Sequence, residues 1–181
     1  FATAAGAAAF KVNCIQCHGS GAAGSAGYPN LNDDDWLWGG SLAEIEKTIA
    51  DGIRAGQDGT HDSSMPRFGI DQVLTSAQIA DTAAYVLSLA GQTEDKAAVE
   101  RGTTVFVEQC AACHGADGKG NKEMGAPNLT DGIWLYGNRK ADVEESIRTG
   151  RGGVMPAWSG KLDPVTIKML AIYVHSLGGG K

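Results

Sequence analysis

The sequence predicts an all-α protein built from two related domains in tandem. Three observations carry this. The halves of the chain repeat one another along most of their length. Capping residues open several stretches with helical apolar spacing. No stretch alternates apolar and polar residues as a half-buried strand would.

The repeat is read from matched residues. Phe10 stands four residues before Cys14, and Phe106 four before Cys110. Pro29-Asn30-Leu31 matches Pro127-Asn128-Leu129, and Asp33 with Trp36-Leu37 matches Asp131 with Trp134-Leu135. Gly39 and Gly52 correspond to Gly137 and Gly150, and Met65-Pro66 to Met155-Pro156. Near the ends, Tyr85-Val86 and Ser88-Leu89 match Tyr173-Val174 and Ser176-Leu177. The polar residues 91–96 read as a linker, so the expected domains are 1–91 and 92–181.

Local signals place the helices. Ser41 and Glu44 form a capping-box pattern that opens a helix running to about Gly52. Thr75 and Gln78 open another, with Ile79, Ala83, Val86 and Leu87 on its apolar face. Residues 97–109 suit a helix ending at Cys110. Asp163-Pro164 supplies an N-cap and a first-turn proline for the last helix. Domains of about ninety residues have thin cores, which makes a large bound cofactor attractive as filler. Twenty-six glycines limit long regular elements.

Composition excludes some functions. A net charge of −6 argues against nucleic acid, which demands basic surface. No apolar run approaches the roughly 18 residues of a membrane helix. The chain begins at Phe1 rather than Met, so a removed signal peptide or anchor is expected. Residues 1–92 carry four Lys/Arg against ten Asp/Glu, whereas residues 93–181 carry eleven of each.

All four cysteines lie in two copies of one frame, Cys14-Ile-Gln-Cys17-His18 and Cys110-Ala-Ala-Cys113-His114. C-x-x-C-H reads as covalent attachment of a c-type haem, with both sulfurs on one helical face. His18 and His114 then sit beneath the irons as proximal ligands. A thioredoxin-like dithiol would want a βαβ setting, which is not visible. A zinc site made of all four cysteines would need the two pairs close together, and 92 residues lie between Cys17 and Cys110. Two covalent haems, each with its iron, are therefore expected, one per domain. The arrangement resembles the class I cytochrome c architecture in tandem.

Met65 and Met155 hold equivalent places and are the candidate sixth ligands. The first repeat spends twelve residues between Gly52 and Met65, and the second spends four between Gly150 and Met155. His61 belongs to the eight extra residues and competes with Met65 for the first iron. Methionine would raise the reduction potential, and a second histidine would lower it. Met124 reads as a loop residue and Met169 as helix packing. With His below and Met above, each iron is closed to oxygen and peroxide, which argues for electron transfer and against a dihaem peroxidase.

Several segments resemble a particular family. NLTDGIWLYG at 128–137, GRGGVMPAW at 150–158 and YVHSLGGG at 173–180 are similar to the dihaem cytochrome c subunit of cbb3-type cytochrome c oxidases. PNLNDDDWLWGG at 29–40 and SSMPRFG at 63–69 agree with it. The resemblance implies two class I domains on the periplasmic side of the bacterial inner membrane, behind a membrane anchor that this chain is expected to lack. It implies electrons arriving from a soluble c-type donor and leaving toward other oxidase subunits. A free-standing periplasmic shuttle resembling cytochrome c4 is the alternative.

By class I analogy, the carbonyls of Pro29 and Pro127 accept a hydrogen bond from the proximal histidines. Trp36 and Trp134 are candidates for contact with haem edges or propionates, and equally for ordinary core packing. Arg54, Arg67 and Arg151 could pair with propionates or stand as solvated charges. His175 reads as a residue near the end of the last helix. The acidic first half suggests steering of a basic donor to the first domain, or only solubility.

Overall fold

A computed structural model describes residues 1–92 and 94–178. The described residues form helices α1 (Ala2–Asn13), α2 (Ile15–His18), α3 (Leu42–Asp51), α4 (Ser76–Leu89), α5 (Lys96–Gln109), α6 (Ala111–His114), α7 (Lys140–Thr149) and α8 (Pro164–Gly178). Pairing of extended backbone among them is limited to isolated bridges.

The capping chemistry appears where the residues predict it. Ser41 Oγ accepts from the Glu44 amide while the Glu44 carboxylate accepts from the Ser41 amide, closing the box at the start of α3. Thr75 and Gln78 do the same for α4. Asp95 accepts from the Ala98 amide to cap α5, and Asp163 accepts from the amides of Val165 and Thr166 at α8. These contacts satisfy amides that a helix start otherwise leaves without partners.

The two repeats are not the two compact units. One unit joins Phe1–Ser63 to Gly153–Lys181, and the other is Ser64–Gly152. The expected boundaries at 1–91 and 92–181 follow the repeat, and the compact units cut across them. The first unit contains α1, α2 and α3 and takes its last helix, α8, from the second repeat. The second contains α5, α6 and α7 and takes α4 from the first repeat.

Connection length explains the exchange. Six residues separate Leu89 from Lys96, and a link that short makes α4 and α5 antiparallel neighbours. With α4 engaged, the equivalent face of α1 is left for α8. Gly6 allows the approach, because a Cβ there would lie 2.0 Å from the Met169 carbonyl oxygen. Gly102 plays the same part between α5 and α4, where a Cβ would lie 2.0 Å from the Asp81 carbonyl oxygen. Each glycine stands one turn before a fully buried phenylalanine, Phe10 or Phe106. Phe10 meets Tyr173 with ring centroids 5.4 Å apart, and Phe106 meets Tyr85 at 5.0 Å. Arg101 and Asp81 add a bidentate ion pair across α5 and α4.

Two cores result. Phe10, Ala22, Ile45, Ile49, Ile167, Leu170, Ala171 and Val174 form the first. Phe68, Leu74, Ile79, Ala83, Val86, Leu87, Val105, Phe106, Cys110, Val143 and Ile147 form the second. Charge follows the same division. The first unit holds six Lys/Arg against nine Asp/Glu and the second nine against twelve, a balance of −3 in each. The acidic excess of residues 1–92 is therefore no property of either unit, and it gives no ground for steering a donor to the first.

Leu170 is in the last helix of the chain but is buried with Phe10 of the first. Leu170→Ala should cost about 2–5 kcal/mol, the usual range for a buried leucine. In hydrogen exchange the loss of protection is expected in α1 and not in α5. The contiguous-domain arrangement requires the reverse.

Candidate functional site

In the first unit, α1 ends at Cys14 and α2 carries Cys17 and His18. The amides of Cys17 and His18 both donate to the Cys14 carbonyl, a tight turn that holds the motif together. The second unit repeats this with Cys113, His114 and the Cys110 carbonyl. Burial pushes the Cys14 thiol up to about 11, with the neighbouring Cys17 adding to it, and Cys110 is pushed up to about 11 beside Cys113 in the same way.

The histidines are prepared for metal. His18 Nδ1 lies 3.1 Å from the Pro29 carbonyl oxygen, and His114 Nδ1 lies 3.1 Å from that of Pro127. Burial pushes both rings below the ordinary histidine range, with the proline contact opposing it, so each is neutral at pH 7. A carbonyl can only accept, so Nδ1–H is the donor. The proton is thereby fixed on Nδ1 and the lone pair on Nε2, as a ligating imidazole needs.

The remaining predicted site residues sort by unit. Cys14, Trp36 and Met155 pack against the core of the first unit. Met65 and Trp134 pack against the core of the second, which includes Cys110. Two glycines set the methionine segments. Gly52, at φ +71°, lies so near that a Cβ would stand 2.4 Å from the Met155 carbonyl oxygen. Gly150, at φ +61°, is placed likewise against the Met65 carbonyl oxygen at 2.4 Å. Both matches run across the repeats.

His61 and Met65, the two candidates for one iron, fall in different units. His61 stacks on Trp38 with centroids 4.2 Å apart, and its Nε2 lies 3.0 Å from Thr48 Oγ1 on α3. Arg54 donates to the carbonyls of Gly153 and Ser63. Arg67 pairs with Asp71, and the Arg151 guanidinium lies over the Tyr136 ring. Met124 is in a turn after Asn121, Met169 is on α8, and His175 is in the last turn of α8.

One polar atom tests whether a haem fits. Trp36 Nε1–H is buried and, among the described residues, has no hydrogen-bond partner. A buried donor of this kind costs roughly 1–3 kcal/mol unless it is satisfied. An anionic propionate from a porphyrin held by Cys14 and Cys17 would satisfy it. Together with two neutral imidazoles and paired thiols, the residues fit the group. Sequence reasoning missed Gly6 and Gly102, which set how closely the helices of each unit cross. Their shared spacing before Phe10 and Phe106 is the signal that could have found them.

Comparison with known proteins agrees with this chemistry. Residues 3–90 match the cytochrome c family, and residues 97–174 match the family described as cytochrome c oxidase, cbb3-type, subunit III. The chain is 54% identical to the cbb3-type cytochrome c oxidase subunit CcoP of Cereibacter sphaeroides, covering 100% of this chain and 63% of that protein. It is 58% identical to subunit FixP of Bradyrhizobium diazoefficiens, over 99% of this chain and 62% of the relative. Subunit CcoP of Azospirillum brasilense is 52% identical, over 100% and 64%. The chain thus spans less than two thirds of the length of these relatives. The chain carries two covalently bound c-type haems and belongs to the family of dihaem cytochrome c subunits of cbb3-type oxidases.

Proposed function

We propose that this chain relays electrons, taking them from a soluble c-type cytochrome and passing them toward other subunits of a cbb3-type oxidase. The observation that carries the reading is the matched pair of neutral histidines, each with Nδ1–H directed to a proline carbonyl beside two cysteines. Each haem supplies a centre that gains or loses one electron. The protein residues hold it, orient its ligands and limit access to the iron.

Cys14 and Cys17 would carry one haem and Cys110 and Cys113 the other. We assign the axial ligands across the repeats, His18 with Met155 and His114 with Met65. What supports this is the packing of Met155 in the unit of Cys14 and of Met65 in the unit of Cys110. Trp36 would donate to a propionate, and Trp134 holds the equivalent place in the second unit. An iron with both axial positions filled exchanges electrons without binding oxygen, so the chain itself would have no active site. Reduction of oxygen would belong to the whole complex. The reading puts both units on the periplasmic side of the inner membrane, with an anchor in the full-length protein. No helix among the described residues is long and apolar enough to cross a membrane.

Two measurements test the reading. In protein carrying only the first haem, through Cys110→Ala and Cys113→Ala, Met155→Ala should abolish the sulfur-to-iron charge-transfer band while Met65→Ala leaves it in place. The converse is expected when Cys14 and Cys17 are replaced. For function, rapid mixing of the oxidised dihaem protein with excess reduced c-type cytochrome should reduce both haems. Absence of reduction by any basic or acidic c-type donor, together with rapid peroxide turnover, contradicts a relay.

A further inference from the structure

The eight residues by which the first repeat exceeds the second lie between Gly52 and Met65, and the structure gives them a mechanical role. Ile53 exchanges two backbone hydrogen bonds with Met155, Ile53 N–H to the Met155 carbonyl at 2.9 Å and Met155 N–H to the Ile53 carbonyl at 3.0 Å. On the opposite side, His61 N–H donates to the Gly52 carbonyl and Arg54 N–H to the His61 carbonyl, at 3.2 and 2.7 Å. Ile53 is therefore the middle segment of a small patch with His61 on one edge and Met155 on the other.

Arg54 ties both edges. Its Nε donates to the Gly153 carbonyl at 2.7 Å, two residues before Met155, and its Nη1 donates to the Ser63 carbonyl at 2.7 Å, two residues after His61. The Arg54 backbone adopts φ +51°, a conformation that costs an ordinary residue energy and persists when its surroundings enforce it. The loop is fixed to α3 at two points. Lys47 Nζ donates to the Gly59 carbonyl at 2.7 Å, and His61 meets Thr48 while stacking on Trp38. Beyond Met155, Trp158 N–H donates to the Ile49 and Ala50 carbonyls. Among the described residues, no backbone bridge involves Met65.

We propose that Arg54 and His61 are positioning residues that hold Met155 over the iron carried by Cys14 and Cys17, so that this iron keeps its sulfur more firmly than the other does. The proposal rests on the assignment of Met155 to that iron. Arg54 acts through the Gly153 carbonyl, His61 through Ile53, and neither touches the metal. A ligand whose backbone is fixed loses less freedom on binding, and competing ligands displace it less readily.

The test is an imidazole titration of the oxidised dihaem protein, following the methionine methyl signals of the two haems separately by NMR. Met155→Ala identifies the signal that belongs to Met155. In the unaltered protein imidazole should displace Met65 at lower concentration than Met155. Arg54→Gln should raise imidazole affinity at the Met155 haem on the order of tenfold, the effect of losing the charged donor's hydrogen bond to the Gly153 carbonyl on the Met155 edge, with the Met65 haem unmoved. His61→Ala should raise it a few-fold, and His61→Gln, which can still bond Thr48, should restore part of the difference. Circular dichroism and thermal unfolding of each variant separate loss of positioning from loss of fold. Equal affinities at the two haems in the unaltered protein, an unchanged Met155 haem in Arg54→Gln, or an equal rise at both haems, overturns the proposal. If Met155→Ala removes the sulfur signal of the haem on Cys110 and Cys113, the ligand assignment fails instead, whatever the arginine variant does.

Discussion

The six residues between Leu89 and Lys96 determine which helix each haem motif is paired with. So short a link suits an antiparallel helix pair, and α5 packs on α4 with the Gly102 and Phe106 face covered by Asp81 and Tyr85. The corresponding face of α1, with Gly6 and Phe10, is covered by Met169 and Tyr173 of α8. The chain passes from one unit to the other at Ser63/Ser64 and again at Gly152/Gly153, in each case just ahead of a candidate ligand methionine, Met65 or Met155. Each methionine therefore travels with the last helix of its own repeat into the unit of the other. The ligand exchange proposed above would be a consequence of the helix exchange.

This explains what was legible in the sequence. Helix starts are local, so Ser41, Thr75 and Asp163 announced them, and the structure has the caps in place. Cysteine spacing and the adjacent histidine are also local, and they identified the chemistry. Pairing between repeats is not local. Gly6 and Gly102 precede equivalent phenylalanines, and Tyr85 and Tyr173 are equivalent as well, so either helix could cover either face as far as residue types decide. Only the connection length separates the alternatives. The acidic excess of residues 1–92 belongs to a repeat, and over the compact units the charge balance is −3 in each.

The role of residues 53–63 was hidden differently. Read alone, Gly-, Asp- and Ser-rich chain with a histidine is a surface loop, and comparison with the second repeat marks it as surplus. Its partner, Met155, lies about ninety residues further along, so no window of sequence brings the two together. Arg54 shows the limit most clearly. Its guanidinium is the sort of group that pairs with a propionate, and here it joins two backbone carbonyls. The haem, by contrast, is written into the core. Trp36 has a buried N–H without a partner among the described residues, and burial lowers the His18 and His114 rings below the ordinary histidine range while a proline carbonyl accepts from each Nδ1–H.

The central claim is that the first helix of the chain is completed by the last helix and not by α4. A double-mutant cycle on the full-length dihaem protein measures this directly, using stability to denaturant with Phe10→Leu, Tyr173→Leu and Tyr85→Leu. Phe10 and Tyr173 should be coupled by about 0.5–1.5 kcal/mol, as aromatic pairs in contact are, and Phe10 and Tyr85 should be additive. Coupling of Phe10 to Tyr85, with additivity between Phe10 and Tyr173, would contradict the exchange of helices and with it the crossed ligation proposed for the two irons.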